Sequence, residues 1–272
     1  MKKIILLVVC IAVSTVFGQK STNHNIGCYA NLLTPVQLIE EMTYNLLKDQ
    51  VQASLDEELE FGLSSKAATE EKYKLRQNGS DYNKVNSIMK KLVNQVSKFS
   101  NPTSNPNFGK YKDHYEIYMM ESEEINAFTA GCKIYFTTAM YKFCQSEDEI
   151  AAVIAHEISH NELGHFNERV RKNKLAQNYL GEDYGMIFNY VATVLTLPFN
   201  QKHEGHCDLF GIDLAKSAGY SACADVEFWK RAHDKLEGEK TIFNLLMTHP
   251  YMEDRANCSK DHIKTNYNIE CE

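Results

Sequence analysis

The order of apolar and polar positions predicts a helical front to this chain. Between Pro35 and Lys98, apolar residues such as Leu38, Met42 and Leu46 recur at helical spacing, so two or three helices are expected there. Residues 101–107 carry prolines among Asn and Ser, a composition that breaks helices. A loop is therefore expected between this front and the remainder of the chain.

Two β-strands are predicted after that loop. The segments Tyr115 to Met120 and Lys133 to Thr138 are rich in Tyr, Ile, Phe and Thr, residue types that favour strands. Gly131 between them suits a turn or a bulge. The pattern therefore indicates a small sheet in the middle of the chain.

The next stretch is predicted to be helical. Ser146 and Glu149 have the spacing of a capping box, and the apolar run Ala151 to Ala155 continues it as a helix. Met186 to Leu197 is a second helical stretch, apolar enough for the core or for a membrane surface but too short to cross a bilayer. Core packing is the interpretation we favour for it.

Two further helices are predicted near the end of the chain. Asp208 to Lys216 reads as a helix closed by Gly219, and Ser221 can cap another that runs through Trp229 to about Leu236. Together with the strands, these segments predict an α+β fold that is mostly helical.

The amino terminus has the pattern of an export signal. Lys2 and Lys3 precede the apolar run Ile4 to Phe17, which is shorter than the ~20 residues of a spanning helix. We therefore predict a signal peptide over residues 1–18, a helical segment over 19–79 and a main domain over 80–272. Export would place the protein in the periplasm or cell envelope of a bacterium, or outside a eukaryotic cell.

Cysteine usage and charge narrow the class of protein. Of the eight cysteines, all but Cys10 follow the predicted signal, and an oxidising compartment should pair some of them and leave at least one thiol unpaired. The formal net charge of -7 argues against a nucleic-acid partner and fits polypeptide substrates. Peripheral association with a membrane stays an alternative, through the apolar stretch Met186 to Leu197.

The segment His156-Glu157-Ile158-Ser159-His160 carries the chemistry. Residues four apart on a helix lie on one face, so His156 and His160 can share one tetrahedral Zn²⁺. Glu157 lies beside them, where it can reach a water on the metal and act as general base. A third protein ligand is still needed.

That ligand is expected from a second helix. The class of sites that adds a third His ten residues after the first is disfavoured, because this chain has Phe166 there. Glu204 can complete the site, with Asp208 one turn further on to orient a ligand histidine. Cys207 is read as a small core residue, with a thiolate ligand as the alternative. Three histidines are left out of the site as surface or outer residues: His165, His203 and His206.

At this point the chain resembles peptidase family M48, the gluzincin metalloendopeptidases. The resemblance covers about residues 80–260. Ser159 stands where the family usually has Gly. The blocks that carry the resemblance are Asn126-Ala127-Phe128, Ile134 to Thr138, Ser146 to His160, Glu204 to Asp208 with Gly211 and Ala218-Gly219-Tyr220, and Thr248-His249-Pro250 with Arg255.

The resemblance implies a zincin-like metalloprotease domain with a small β-sheet beside the His-Glu-x-x-His helix and one Zn²⁺ per chain. It implies that Arg255 accompanies Asp208 around the ligands. It also implies that His249 either stabilises the transition state or ligates zinc in a resting form. The substrate would add as a strand to the segment formed by Ile134, Tyr135, Phe136 and Thr137.

We therefore expect an exported zinc metalloendopeptidase that hydrolyses peptide bonds of unfolded or misfolded proteins, through a zinc-bound water activated by Glu157. The alternative is a chaperone-like or regulatory zinc protein that binds unfolded chains with little proteolysis. A secreted digestive or toxin-like protease is a third hypothesis.

Overall fold

The computed structural model of the protein describes residues 24–25, 44–180, 201–236 and 252–272. The predicted helix Met186–Leu197 and the candidate catalytic residue His249 lie outside these residues. Within them, helices predominate around one small sheet, as the pattern of apolar positions predicts.

The helices agree with the predicted segments but differ at their ends. The predicted helical segment Pro35 to Lys98 contains two helices that the structure describes from end to end, and residues 101–107 form a loop. The helix expected from Asp208 begins a full two turns earlier, and it ends before Gly219, which has φ +88°. In chain order the helices are α1 (Leu55–Glu70), α2 (Ser80–Val93), α3 (Thr138–Phe143), α4 (Glu147–Glu162), α5 (His165–Leu180), α6 (Gln201–Ser217), α7 (Ala224–Leu236) and α8 (Met252–Tyr267).

The sheet has four strands in the order β1-β2-β4-β3. The two predicted strands are confirmed as β2 (Glu116–Met120) and β4 (Lys133–Thr137), which pair in parallel. The pattern of apolar residues does not predict β1 (Leu75–Arg76) or β3 (Ala127–Ala130), because both runs are too short to show a clear alternation of apolar and polar residues. Both pair antiparallel, β1 with β2 and β3 with β4.

A close contact between two glycines docks α1 on the sheet. Gly131 forms the turn between β3 and β4 with φ +51°, and a Cβ there would lie 2.2 Å from the carbonyl oxygen of Glu58. A Cβ on Gly62 would in turn lie 2.3 Å from the Gly131 oxygen. Only residues without a side chain permit this approach of helix and turn.

The start of α4 departs from the predicted capping box. The Ser146 hydroxyl accepts a hydrogen bond from the Glu149 amide, as expected. The Glu149 carboxylate, however, accepts from the Gln145 amide and from Arg231 rather than from the Ser146 amide. The reciprocal half of the box is therefore wrong, because the half-buried Arg231 competes for the carboxylate.

Nearly every residue of α4 is buried, since α6 packs along one side of it and the sheet and α2 along others. α2 contributes an apolar stripe at helical spacing: Val85, Ile88, Met89, Leu92 and Val93. A side chain that points from α4 towards α6 is therefore held in dry, close-packed surroundings.

Cysteine pairing agrees with the expectation that some cysteines are bonded and at least one is not. Cys223 is bonded to Cys271, and Cys258 is also in a disulfide. The thiols of Cys132, Cys144 and Cys207 are unpaired. Among the described residues, no helix combines the length and the apolar character that a membrane span requires.

Candidate metal centre

His156 and His160 face each other across one turn of α4, as their spacing predicts. Their Nε2 atoms lie 3.1 Å apart, and both rings are buried. The two lone pairs therefore converge on one point next to α6.

α6 can approach this turn because it presents a glycine there. A Cβ on Gly211 would lie 3.2 Å from the backbone nitrogen of His156, so any larger residue would push the two helices apart. Ser159, at the family's usual glycine position, fits without disturbing the helix, since its hydroxyl donates back to the Ala155 carbonyl at 2.6 Å.

Glu204 of α6 supplies the third donor group. Its Oε2 lies 3.3 Å from His156 Nε2 and its Oε1 lies 3.5 Å from His160 Nε2. Ligand atoms at ~2.0–2.1 Å from one tetrahedral zinc are separated by about 3.3 Å. Two imidazole nitrogens and a carboxylate at this spacing therefore fit a Zn²⁺ ion.

Asp208 and Arg255 form the surroundings of the ligands. Asp208 Oδ1 lies 2.9 Å from His156 Nδ1, where it can accept the proton that leaves Nε2 available. Arg255 donates to both Asp208 oxygens at 2.7 and 2.5 Å, and its Nη1 lies 3.2 Å from Glu204. Trp229 covers the guanidinium, whose carbon is 3.7 Å from the ring centroid.

The protonation of these groups reflects their neighbours. Burial alone would lower the pKa of His156, but hydrogen bonds to Asp208 and Glu204 outweigh it and raise the pKa to about 10. Burial would raise the pKa of Asp208, but the adjacent Arg255 and His156 hold it below its usual value. The carboxylates around His156 therefore favour positive charge at this point.

His165 is a partner of the site that the sequence interpretation excluded. It is buried, and its Nδ1 lies 3.3 Å from the Nδ1 of His160 and 3.3 Å from the Cys207 sulfur. Burial and the neighbouring His203 hold the pKa of His165 well below its usual value. The neutral ring can thus accept the His160 Nδ1 proton, which orients that ligand. Its place just beyond the end of α4, five residues after His160, is the signal that could have indicated this.

Cys207 is buried and unpaired, as expected of a small core residue. Its sulfur also lies within 4.8 Å of a nitrogen of His156 and of His160, so the thiol is close to the metal position. Glu204 reaches each of the two Nε2 atoms with one carboxylate oxygen, at 3.3 and 3.5 Å, and burial together with nearby carboxylates raises the pKa of the Cys207 thiol, which disfavours the thiolate. The geometry therefore favours the carboxylate as third ligand.

Glu157 lies at the floor of a small pocket beside the ligands. Its side chain is buried, and the same pocket is lined by His156 and by Ala127 of β3. The rest of the lining is mostly apolar and comes from α3, α4 and α7: Met140, Ala152, Val153, Asp225, Phe228 and Trp229. Glu157 is thus placed where a group bound in the pocket would meet it.

The expectation that Ile134, Tyr135, Phe136 and Thr137 form the edge of the sheet is wrong. β4 is paired on one side with β2 and on the other with β3, so both of its main-chain edges are used. The edge strand beside α4 is β3, which is tied to that helix by a hydrogen bond from Asn161 to Thr129. That expectation came from the family resemblance, and residue types within a strand do not reveal its place in the sheet.

Asp225 is a further residue that the sequence interpretation missed. It is buried on α7 at the pocket and accepts hydrogen bonds from Trp229 Nε1 at 3.2 Å and Ser259 Oγ at 2.7 Å. Burial and the nearby Asp208 raise its pKa to about 7. An isolated Asp on a helix gives no sequence signal for such a role.

A metal-binding pair on one helix, a carboxylate from a second helix and an acid residue beside them define the metallopeptidase class of site. The family model for peptidase family M48 matches residues 83–261, and the chain belongs to that family.

Curated relatives of this chain are named as proteases or metalloendopeptidases, and their sequence identity to it is low. The beta-barrel assembly-enhancing protease of Escherichia coli (strain K12) is 23% identical over 190 residues, which cover 63% of this chain and 36% of that protein. The mitochondrial metalloendopeptidase OMA1 of Schizosaccharomyces pombe is 26% identical over 153 residues, with 52% and 44% covered. OMA1 of Arabidopsis thaliana is 29% identical over 151 residues, with 52% and 30% covered. The chain thus spans less than half the length of each of these relatives.

Proposed function

We propose that the protein is an exported zinc-dependent endopeptidase that cleaves unfolded polypeptides. The observation that carries this proposal is the convergence of His156, His160 and Glu204, with donor atoms 3.1–3.5 Å apart, beside the buried Glu157. Bound zinc would supply Lewis acidity and lower the pKa of water from ~16 to ~7.

Each residue of the candidate site would have its own role in peptide hydrolysis. Glu157 would take the proton of the attacking water and deliver it to the leaving amine nitrogen. Asp208 keeps the proton of His156 on Nδ1, and Arg255 fixes Asp208 and balances the charge of Glu204. His249 remains our candidate for stabilising the oxyanion, on the strength of the family resemblance.

Substrate binding is assigned to β3 in place of β4. β3 is the edge strand next to α4, and its Ala127 lines the same pocket as Glu157. A peptide added along β3 would be held by main-chain hydrogen bonds, which demand an extended chain and little particular sequence. The mostly apolar lining beside it would favour a substrate with an apolar side chain at this point. Unfolded proteins offer both features.

Export is supported by the disulfide chemistry. Bonds such as Cys223–Cys271 persist in oxidising compartments and are rare in the cytosol. Together with the apolar run after Lys2 and Lys3, this supports a periplasmic, envelope or secreted location.

The decisive experiment compares wild type with Glu157→Gln on casein and on a tightly folded control protein. Wild type should cleave casein in a chelator-sensitive, zinc-restored manner and leave the folded protein intact. Glu157→Gln should keep the zinc content of wild type and lose cleavage by at least ~10³-fold, because the amide cannot accept a proton. Casein binding without cleavage by wild type would support the chaperone-like alternative instead.

The ligand assignment is tested by metal analysis of Glu204→Ala against His203→Ala, its neighbour on the same helix. The first variant should lose about one zinc per chain and the second none. Equal zinc contents would show that Glu204 is not a ligand, and loss in Cys207→Ala would then identify the thiolate.

A further inference from the structure

The chain holds a second cluster of metal-ligating side chains away from the peptidase site. It consists of His24, Asp213 of α6 and His262 of α8, which offer ligand atoms within 4.8 Å of one another. His24 Nε2 lies 2.8 Å from Asp213 Oδ2, and His262 Nε2 lies 2.8 Å from Asp213 Oδ1. We propose that these three residues bind a second divalent transition-metal ion, with Zn²⁺ as the best match.

The spacing of the donors resembles that of the first site in the same structure. There the ligand atoms of His156, His160 and Glu204 lie 3.1–3.5 Å apart. In the second cluster the nitrogen–oxygen distances are 2.8 Å, so a shift of about 0.5 Å would open it to the ~3.3 Å of a tetrahedral zinc. Two imidazoles and one carboxylate form a donor set that suits Zn²⁺ rather than Ca²⁺ or Mg²⁺.

In each histidine of the second cluster, the ring nitrogen that would not bind the metal has a hydrogen-bonding neighbour, as is usual for metal-ligating histidines. The Nδ1 of His24 lies 3.1 Å from the Nε2 of His206 and can donate its proton there once Nε2 carries the metal. The Nδ1 of His262 lies 3.0 Å from the Asn266 amide nitrogen; with metal on Nε2 this amide would turn its oxygen towards the Nδ1 proton and give up its 3.1 Å hydrogen bond to the His262 carbonyl oxygen. Both ligand nitrogens would then face the cation.

Burial favours a cation at this point. The side chain of Asp213 is fully buried, that of His262 is 2% exposed and that of His24 is 8% exposed. Tyr267 also contacts the carboxylate, with its hydroxyl 2.5 Å from Oδ1. In the metal-free state Asp213 accepts hydrogen bonds from its neighbours, and a divalent ion would replace two of those protons and neutralise the carboxylate.

The consequence of such a site would be structural. His24 lies 189 residues from Asp213 and His262 lies 49 residues from it along the chain. A shared ion would therefore fasten the segment around His24 to α6 and α8. Since α6 also carries Glu204 and Asp208, the second ion would brace the helix that completes the peptidase site.

The test is the metal content of the purified full chain after dialysis against zinc-buffered solution. Wild type should contain two zinc ions per chain, His24→Ala and His262→Gln one each, and Glu204→Ala one. The double variant His24→Ala/Glu204→Ala should contain none. His233→Ala, a change at an exposed histidine of α7, should keep two.

A second measurement keeps the outcome independent of peptidase activity and of folding in any one variant. Adding Zn²⁺ to Glu204→Ala should raise its melting temperature, and the double variant should show no such rise. One zinc per wild-type chain, unchanged by His24→Ala, would overturn the proposal and leave a hydrogen-bonded cluster only. Loss of both ions in His24→Ala, with Glu204→Ala also binding none, would overturn it as well, since the chain would then hold no second ion independent of Glu204.

Discussion

Buried carboxylates in this protein are stabilised in two different ways, by a cation in one place and by neutral hydrogen-bond donors in another. Around the candidate metal centre, Asp208 and Glu204 are matched by the guanidinium of Arg255, which contacts both. Around Glu58 of α1, the neighbours are neutral hydrogen-bond donors: Asn107, Tyr111 and Asn167 at 2.7, 2.9 and 2.6 Å. The pKa of Asp208 is lowered by its cationic neighbours, whereas burial raises the pKa of Glu58.

The difference separates a site built to hold charge from one built to hold the scaffold together. Asp208 stays ionised and can orient a metal ligand, because a cation is fixed beside it. Glu58 instead joins α1, the loop before β2 and α5 at one point, since its three partners come from the latter two segments. Each arrangement predicts a different response to mutation and to pH.

The largest effect is expected from Arg255→Met, which leaves two buried carboxylates without their cation. The free energy of unfolding should fall by ~3–5 kcal/mol, and zinc at the peptidase site should bind more weakly because His156 loses its oriented partner. Denaturant unfolding and metal analysis measure the two effects. Arg76→Met is the matched control, since the Arg76–Asp81 pair is partly exposed and its loss should cost about 1 kcal/mol or less. If the two variants lost the same free energy of unfolding, the buried pairs of Arg255 would stabilise the fold no more than the partly exposed Arg76–Asp81 pair.

A smaller loss is expected from Gly131→Ala, at the contact that brings α1 and Glu58 to the sheet. The new Cβ would lie 2.2 Å from the Glu58 carbonyl oxygen, in a residue with φ +51°. Backbone strain and displacement of α1 should together cost about 3 kcal/mol. Gly109→Ala isolates the strain alone, because Gly109 has φ +74° and nothing within 4 Å of its Cβ position. It should lose only ~1 kcal/mol; a loss as large as that of Gly131→Ala would show that the helix contact contributes nothing.

Asp225 extends the comparison, because it lies near Arg255 yet its side-chain hydrogen bonds within the described part of the chain come from the neutral Trp229 and Ser259. Its pKa is raised to about 7, so the folded protein binds a proton that the unfolded chain releases near 3.8. Stability should therefore fall as pH rises from about 4 to about 7 through this group.

Asp225→Asn should flatten that part of the profile and melt at a higher temperature than wild type above pH 7. Asn keeps an acceptor for Trp229, and its amide nitrogen can donate to the Ser259 hydroxyl, so the fold should tolerate it. Melting temperatures at intervals between pH 4 and 8 measure the difference. Parallel profiles for the two proteins would show that Asp225 is already ionised in the fold.

The features of the candidate site that can be predicted from sequence are those that depend on residues a few positions apart in the chain. His156 and His160 lie one turn apart, as do Glu204 and Asp208, so a helix alone brings each pair to one face. Strand order is not written locally, and the substrate edge was consequently assigned to β4 rather than β3. The clusters around Glu58 and Asp213 join residues far apart in the chain, so no spacing could indicate them.

The smallest effect is expected from Glu58→Gln, which tests whether that cluster needs an acceptor or a charge. Gln keeps an oxygen for Asn107 and Asn167, both of which donate to the same Glu58 oxygen, and loses the acceptor for the Tyr111 hydroxyl. Relief of a buried charge should offset that loss, so the free energy of unfolding at pH 7.5 should change by about 1 kcal/mol or less. Glu58→Ala removes the acceptor for all three donors and should cost about 3 kcal/mol or more. If both variants lost the same amount, the charge rather than the hydrogen bonds would hold this cluster, and the contrast with Arg255 would disappear.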